Sequence, residues 1–86
     1  MATSQQIEQE IGQRLARLRL ARNVTQADLA EKAGIGVCTL RRLEAGDPST
    51  LDTFLRVATA LDLEDAILSA LPEGDIGPIE RVSQKG

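Results

Sequence analysis

Thr25-Gln26-Ala27-Asp28-Leu29-Ala30-Glu31-Lys32-Ala33-Gly34-Ile35-Gly36-Val37-Cys38-Thr39-Leu40-Arg41-Arg42-Leu43-Glu44-Ala45-Gly46 is the stretch that decides the fold. Thr25 and Asp28 have the spacing of a capping box, in which the hydroxyl accepts from the N–H three residues on and the carboxylate reaches back. A helix from Gln26 to about Ala33 follows, burying Leu29 and Ala30, and Gly34 ends it. Ile35 anchors the turn in the core. Gly36 opens a second helix that continues to Ala45 with Leu40 and Leu43 inward. Gly46 is the next stop, and Asp47-Pro48 opposes continuation because proline lacks an N–H and clashes with the preceding turn. The pattern gives two short helices joined by a tight, glycine-containing turn.

Upstream, Thr3 and Gln6 again have capping-box spacing, so a first helix is expected from Ser4 or Gln5 to Arg22. Ile7, Ile11, Leu15 and Leu18 recur at helical intervals and define its buried stripe. Asn23 suits the left-handed conformation that closes a helix, and Val24 then packs inward. Downstream, either Ser49 or Thr50 caps a fourth helix reaching about Leu61, with Leu51, Phe54, Val57, Ala58 and Leu61 on its core side. A short fifth helix, roughly Glu64 to Leu71, brings Ile67, Leu68 and Leu71. The expected fold is all-α, a compact five-helix domain over residues 1–71 with a short flexible tail over 72–86. That tail is broken by Pro72, Gly74, Gly77 and Pro78, and its apolar anchors are Ile76, Ile79 and Val82. It is a candidate partner-binding or dimer segment.

Composition narrows the function. Eighty-six residues fit one domain, and a 42 % apolar fraction rich in Leu, Ile, Val and Ala, with Phe54 the sole aromatic, favours helices. No apolar run approaches the ~20 residues that span a bilayer, and Met1-Ala2-Thr3-Ser4-Gln5-Gln6 lacks the basic and apolar regions of a signal peptide, so a cytoplasmic protein without membrane contact is expected. One cysteine and no histidine exclude an internal disulfide and the usual zinc constellations; no metal and no cofactor are expected. No acid pair, phosphate loop or Ser-His set supports an enzyme. Cys38 has no histidine to activate it. A redox role beside Arg41 and Arg42 is conceivable, against the simpler reading of a small residue that fits.

The net charge of −3 argues at first against nucleic acid, but its distribution does not. Residues 1–46 carry seven basic groups (Arg14, Arg17, Arg19, Arg22, Lys32, Arg41, Arg42) against five acidic, whereas residues 47–86 carry three against eight. A basic face matters more than the total.

Two helices joined in this way form a helix-turn-helix, whose second helix enters the major groove of DNA. Thr25-Gln26-x-x-Leu29-Ala30-x-x-Ala33-Gly34-Ile35, then Leu40-x-Arg42-Leu43-Glu44-x-Gly46, closely resembles the Cro/repressor-type helix-turn-helix family, as does Ile11-Gly12-x-x-Leu15-x-x-Leu18-Arg19-x-x-Arg22 upstream. The resemblance covers about residues 7–70 and implies a lambda-repressor-like domain. It implies that Gln26, at a helix start, contacts a DNA phosphate, and that Arg19 and Glu44 form a partly buried salt bridge holding the recognition helix. It places the reading positions at Gly36, Val37, Cys38, Arg41 and Arg42, with Thr39 beside them. Arg42 is the first candidate for a base contact, since Arg bonds two guanine acceptors at once; Arg41 can equally bond phosphate. Val37 and Cys38 are small and apolar where many relatives carry Ser, Gln or Arg, which leaves thymine methyls as their partners. Ser49 and Thr50 can offer hydroxyls and amides to phosphate, although capping alone explains both, and Arg22 is expected to flank the DNA backbone.

One recognition helix reads few base pairs, and the family's remedy is a symmetric homodimer on a near-palindrome. Ile67, Leu68 and Leu71 are candidate dimer residues, or equally the outer wall of the same core. The expected function is a sequence-specific duplex-DNA-binding transcriptional regulator, a repressor. The alternative is an antitoxin that autoregulates its operon and neutralises a toxin protein, because the short, acidic C-terminal half with Ile76-Gly77-Pro78-Ile79 is similar to antitoxins paired with persistence-type kinase toxins.

Overall fold

The computed structural model describes residues 1–73; the expected anchors Ile76, Ile79 and Val82 lie outside the described residues. Five helices follow one another, α1 (Ser4–Ala21), α2 (Gln26–Ala33), α3 (Val37–Ala45), α4 (Leu51–Ala60) and α5 (Glu64–Ala70), with no strand among the described residues. The fold is all-α, and each boundary lies within about one residue of the position that sequence chemistry implies.

Three of the five starts are threonine caps. The hydroxyls of Thr3, Thr25 and Thr50 accept from the N–H groups of Gln6 (3.1 Å), Asp28 (3.0 Å) and Thr53 (3.1 Å). Thr3 closes a full capping box, its own N–H donating to Gln6 Oε1 at 2.9 Å. Thr25 makes only half of one: the Asp28 carboxylate does not return to the Thr25 N–H, because Asp is one methylene shorter than the Glu or Gln that closes such boxes. Of the two candidates for α4, Thr50 is the cap. Gly36 precedes α3 without any side-chain cap.

The first four helices end by one device. A residue in the left-handed region, Asn23 (φ 57°), Gly34 (73°), Gly46 (90°) or Asp62 (60°), turns the chain back. The N–H of the next residue then bonds a carbonyl five positions earlier: Val24 to Arg19 (3.1 Å), Ile35 to Ala30 (3.0 Å), Asp47 to Arg42 (3.0 Å) and Leu63 to Ala58 (2.9 Å). This Schellman arrangement satisfies carbonyls the helix leaves open, and in three of four cases it drives an apolar residue, Val24, Ile35 or Leu63, against the core.

The core comprises Leu15, Leu29, Ala30, Ala33, Leu40, Leu43, Val57, Ala60 and Leu61. Leu40 and Val57 are wholly inaccessible and Leu29 and Leu61 nearly so. The helix α1 packs chiefly on α3, α2 on α3 and α4, and α5 on α4. Two glycines set the first contact. A Cβ on Gly12 would lie 2.6 Å from the carbonyl oxygens of Leu43 and Glu44, and one on Gly46 would lie 2.7 Å from Gln9 Cα. The backbone of α1 therefore touches the last turn of α3.

That close approach explains where the expected burial fails. Since α1 meets α3 at Gln9 and Gly12, the residues before Gln9 run past the end of α3. Ile7 is 49 % exposed rather than part of the buried stripe. Leu51, in the first turn of α4, is 70 % exposed for a similar reason, lying beside Glu8 and Ile11 at the rim of the core. No residue of α5 is fully buried: Ile67 is half-buried, while Leu68 and Leu71 are 69 % and 66 % exposed. The reading of Leu68 and Leu71 as an outer core wall is thereby excluded within one copy of the described residues.

Candidate nucleic-acid interface

The site begins with a buried charge. Arg19, near the end of α1, has been taken almost fully out of water, which is tolerable only if every part of the guanidinium is paired. Its Nε and Nη2 donate to the two carboxylate oxygens of Glu44 at 2.8 and 3.1 Å, and Nη1 donates to the Val24 carbonyl at 2.9 Å. The side chains are 10 % and 6 % exposed. No buried side-chain polar atom among the described residues lacks a partner. This bidentate pair ties the end of α1, the loop to α2 and the last turn of α3 into one unit.

Gln26, the first residue of α2, joins the same carboxylate. Its Nε2 donates to Glu44 Oε1 at 2.9 Å, and its Oε1 accepts from Arg41 Nε at 3.4 Å. A chain of contacts thus runs Arg19–Glu44–Gln26–Arg41. Sequence reasoning missed its second half. The available signal was that Arg41 and Glu44, three residues apart, share the side of α3 that faces the start of α2.

The outer side of α3 carries the expected reading positions. Gly36, Cys38, Thr39, Arg41 and Arg42 are exposed. Cys38 and Arg42 stand one turn apart, four residues along, with Thr39 beside them. Val37 differs: it is half-buried and packed against the core, one turn before the fully buried Leu40. Arg42 has no side-chain partner among the described residues, and neither do Lys32 and Cys38.

Most of the other basic groups have partners within the domain. Arg14 is held by Glu10 at 2.9 Å, and that hydrogen bond keeps the Glu10 carboxyl below the usual carboxylate range. Arg56 pairs with Asp52 at 2.8 Å. Arg17 reaches Gln13 at 3.4 Å. Arg22 turns to the Leu61 carbonyl, an open acceptor at the end of α4, and so serves as a cap between helices. Of the seven basic residues in the first half, Arg14 and Arg19 are thus neutralised by carboxylates, while the other five keep their charge at the surface.

Ser49 and Thr50 are exposed, but their hydroxyls have local work. Ser49 Oγ donates to the Thr50 carbonyl at 3.4 Å, and Thr50 Oγ1 donates to Thr53 Oγ1 at 3.0 Å while capping α4. Ser49 and Thr50 line a surface groove together with Glu8, Asp47, Leu51 and Phe54. A second groove of about 350 Å³ runs between α1, α4 and α5, floored by Ile11, Leu15, Leu18, Phe54, Leu63 and Ile67. Among the described residues no group of three or more His, Cys, Asp or Glu is placed to hold a metal ion, and no helix is long and apolar enough to cross a membrane.

Comparison with curated proteins finds no match to this chain. Comparison with family models does: the helix-turn-helix domain model matches residues 10–71, which takes in all of α2, α3, α4 and α5 and most of α1. The two-helix unit at 26–45, held on α1 by Arg19 and Glu44, and the family match agree, and the chain belongs to the helix-turn-helix domain family.

Proposed function

We propose that this protein is a sequence-specific duplex-DNA-binding transcriptional regulator, a repressor that binds a near-palindromic operator as a homodimer. The observation that carries the reading is the outer side of α3. It presents an unpartnered Arg42 beside Cys38 and Thr39, on a helix whose pitch is locked by a buried ion pair. A helix of nine residues fits the major groove, and an unpaired guanidinium is the group best suited to read guanine there. In this reading Arg42 contacts a base. Arg41, with Gln26 beside it, and the open amides after Gly36 serve the DNA backbone, Cys38 and Thr39 meet base edges or methyls, and Val37 contributes only its exposed side. Ser49, Thr50 and Arg22 stand at the margin of the footprint, since each already serves a helix end. Replacing Arg42 by Ala tests this directly. Binding to the preferred duplex should weaken by about 1–3 kcal/mol and discrimination should fall at one base position. Unchanged preference removes Arg42 from base reading.

The homodimer reading draws on α5, a helix with no fully buried residue that carries Ile67 and Leu68 and is followed by Leu71. Pairing two copies there would cover that apolar surface and present two recognition helices about 34 Å apart. Sedimentation at micromolar concentration should show a dimer, and a monomer would discard the α5 interface. The second reading is the antitoxin. It is favoured by the open apolar groove between α1, α4 and α5, of a kind that suits a protein partner. A kinase-like reading frame directly beside the gene, whose product co-purifies with this chain, would support it.

A further inference from the structure

We infer that Gln26 is a positioning residue that acts on DNA through Arg41, fixing the direction of that guanidinium. The inference rests on the reading of α3 as a DNA-contacting helix. Glu44 is the starting point. An ionised carboxylate only accepts hydrogen bonds, so the side-chain amide of Gln26 must turn its NH2 group toward Glu44 Oε1, 2.9 Å away. That choice leaves the amide oxygen of Gln26 directed to the surface of α3, where Arg41 Nε lies 3.4 Å from it. An outward-facing oxygen attracts a cation, here the Arg41 guanidinium. The carboxylate is in turn fixed by two bonds from a buried arginine, so the amide has little freedom to flip.

The consequence falls on Arg41. A guanidinium offers five N–H donors in a planar fork. With Nε turned toward Gln26, Nη1 and Nη2 have no partner among the described residues and are free to bond one acceptor pair end-on. A long exposed contact contributes little in water, where solvent competes for both partners. Once duplex excludes that water, the same contact decides where the Arg41 fork lies. Gln26 should therefore matter to binding far more than to folding, and only while Arg41 is present.

A double-mutant cycle on the full chain tests this, using the duplex selected by the wild-type protein as probe. Gln26→Ala and Arg41→Ala should each weaken binding by about tenfold, each lowering the salt slope by about one phosphate per protomer. The double variant should bind within about twofold of Arg41→Ala alone. In the free protein, Gln26→Ala should move or broaden the Arg41 Nε–H resonance, while Gln26→Asn, too short to reach both partners, should behave like the alanine variant. If the two losses multiply, or if Gln26→Ala leaves affinity unchanged, the positioning role is overturned. Melting curves of all variants identify any loss that comes from unfolding instead; a Gln26→Ala defect that tracks melting and persists in the Arg41→Ala background also overturns it. A wild-type chain that binds no duplex at any salt would overturn the DNA reading itself, a different result from multiplying losses in a chain that binds.

Discussion

Glu44 is the residue on which the account depends most. It stands between a structural partner, Arg19, and a surface one, Gln26, and it accepts three hydrogen bonds in a nearly dry setting. Glu44→Ala would strand the Arg19 guanidinium in the interior, at a cost of about 3–5 kcal/mol. In a domain of this size that lowers the melting temperature by more than about 12 °C, which calorimetry or circular dichroism would register. A loss below about 1 kcal/mol would mean that water reaches Arg19 and that the pair does not hold α3. The pairing of Arg19 with Glu44 came from family resemblance; no local spacing joins residues twenty-five apart. Gln26 was legible as a helix-start residue but not as the third partner of that carboxylate. Hydrogen bonds between side chains on different elements depend on how the elements dock, and a one-dimensional pattern does not carry that.

At the scale of elements the sequence was far more informative. Threonine hydroxyls, left-handed Asn or Gly and the Asp47-Pro48 break act within a few residues, so helix ends could be read directly. Asp62 was overlooked as the stop of α4 because aspartate enters the left-handed region less often than glycine. Faces were harder to read than ends. The periodicity that marked Ile7 and Leu51 as inward is genuine, but α1 and α4 overrun the elements that would cover them. Gly12 shows the reverse: in sequence it is merely a weak point in a helix, yet α1 can meet the α3 backbone only without a side chain there. Gly12→Ala should destabilise the fold by about 1–3 kcal/mol despite alanine's better helix propensity. Denaturant unfolding checks this, and a stabilised variant would show that α1 and α3 do not approach so closely. Thr25→Ala, which removes the cap of α2, should cost about 1 kcal/mol.

For the whole molecule, the redistribution of charge is the main lesson. The basic excess of the first half looked like a broad electrostatic footprint. Arg14 and Arg19 are neutralised by carboxylates within the domain, which leaves Arg17, Arg22, Lys32, Arg41 and Arg42 as exposed charges, the last two on α3. Affinity must come from few contacts doubled by symmetry, and a dimer is the natural way to double them. Leu68→Glu with Leu71→Glu should leave the protomer folded, since both side chains lie in water in a single copy, while shifting sedimentation to monomer, weakening operator binding and removing any concentration dependence of melting. Persistence of the dimer would move the interface off α5.

The most direct test of the central claim is selection of bound sequences from a random duplex pool, followed by salt titration of the winner. The account predicts an enriched near-palindrome with half-sites about one helical turn apart, and a slope of log affinity on log salt of about −4, as expected for about two phosphates per protomer. A pool from which no sequence is enriched, at any salt, would contradict it.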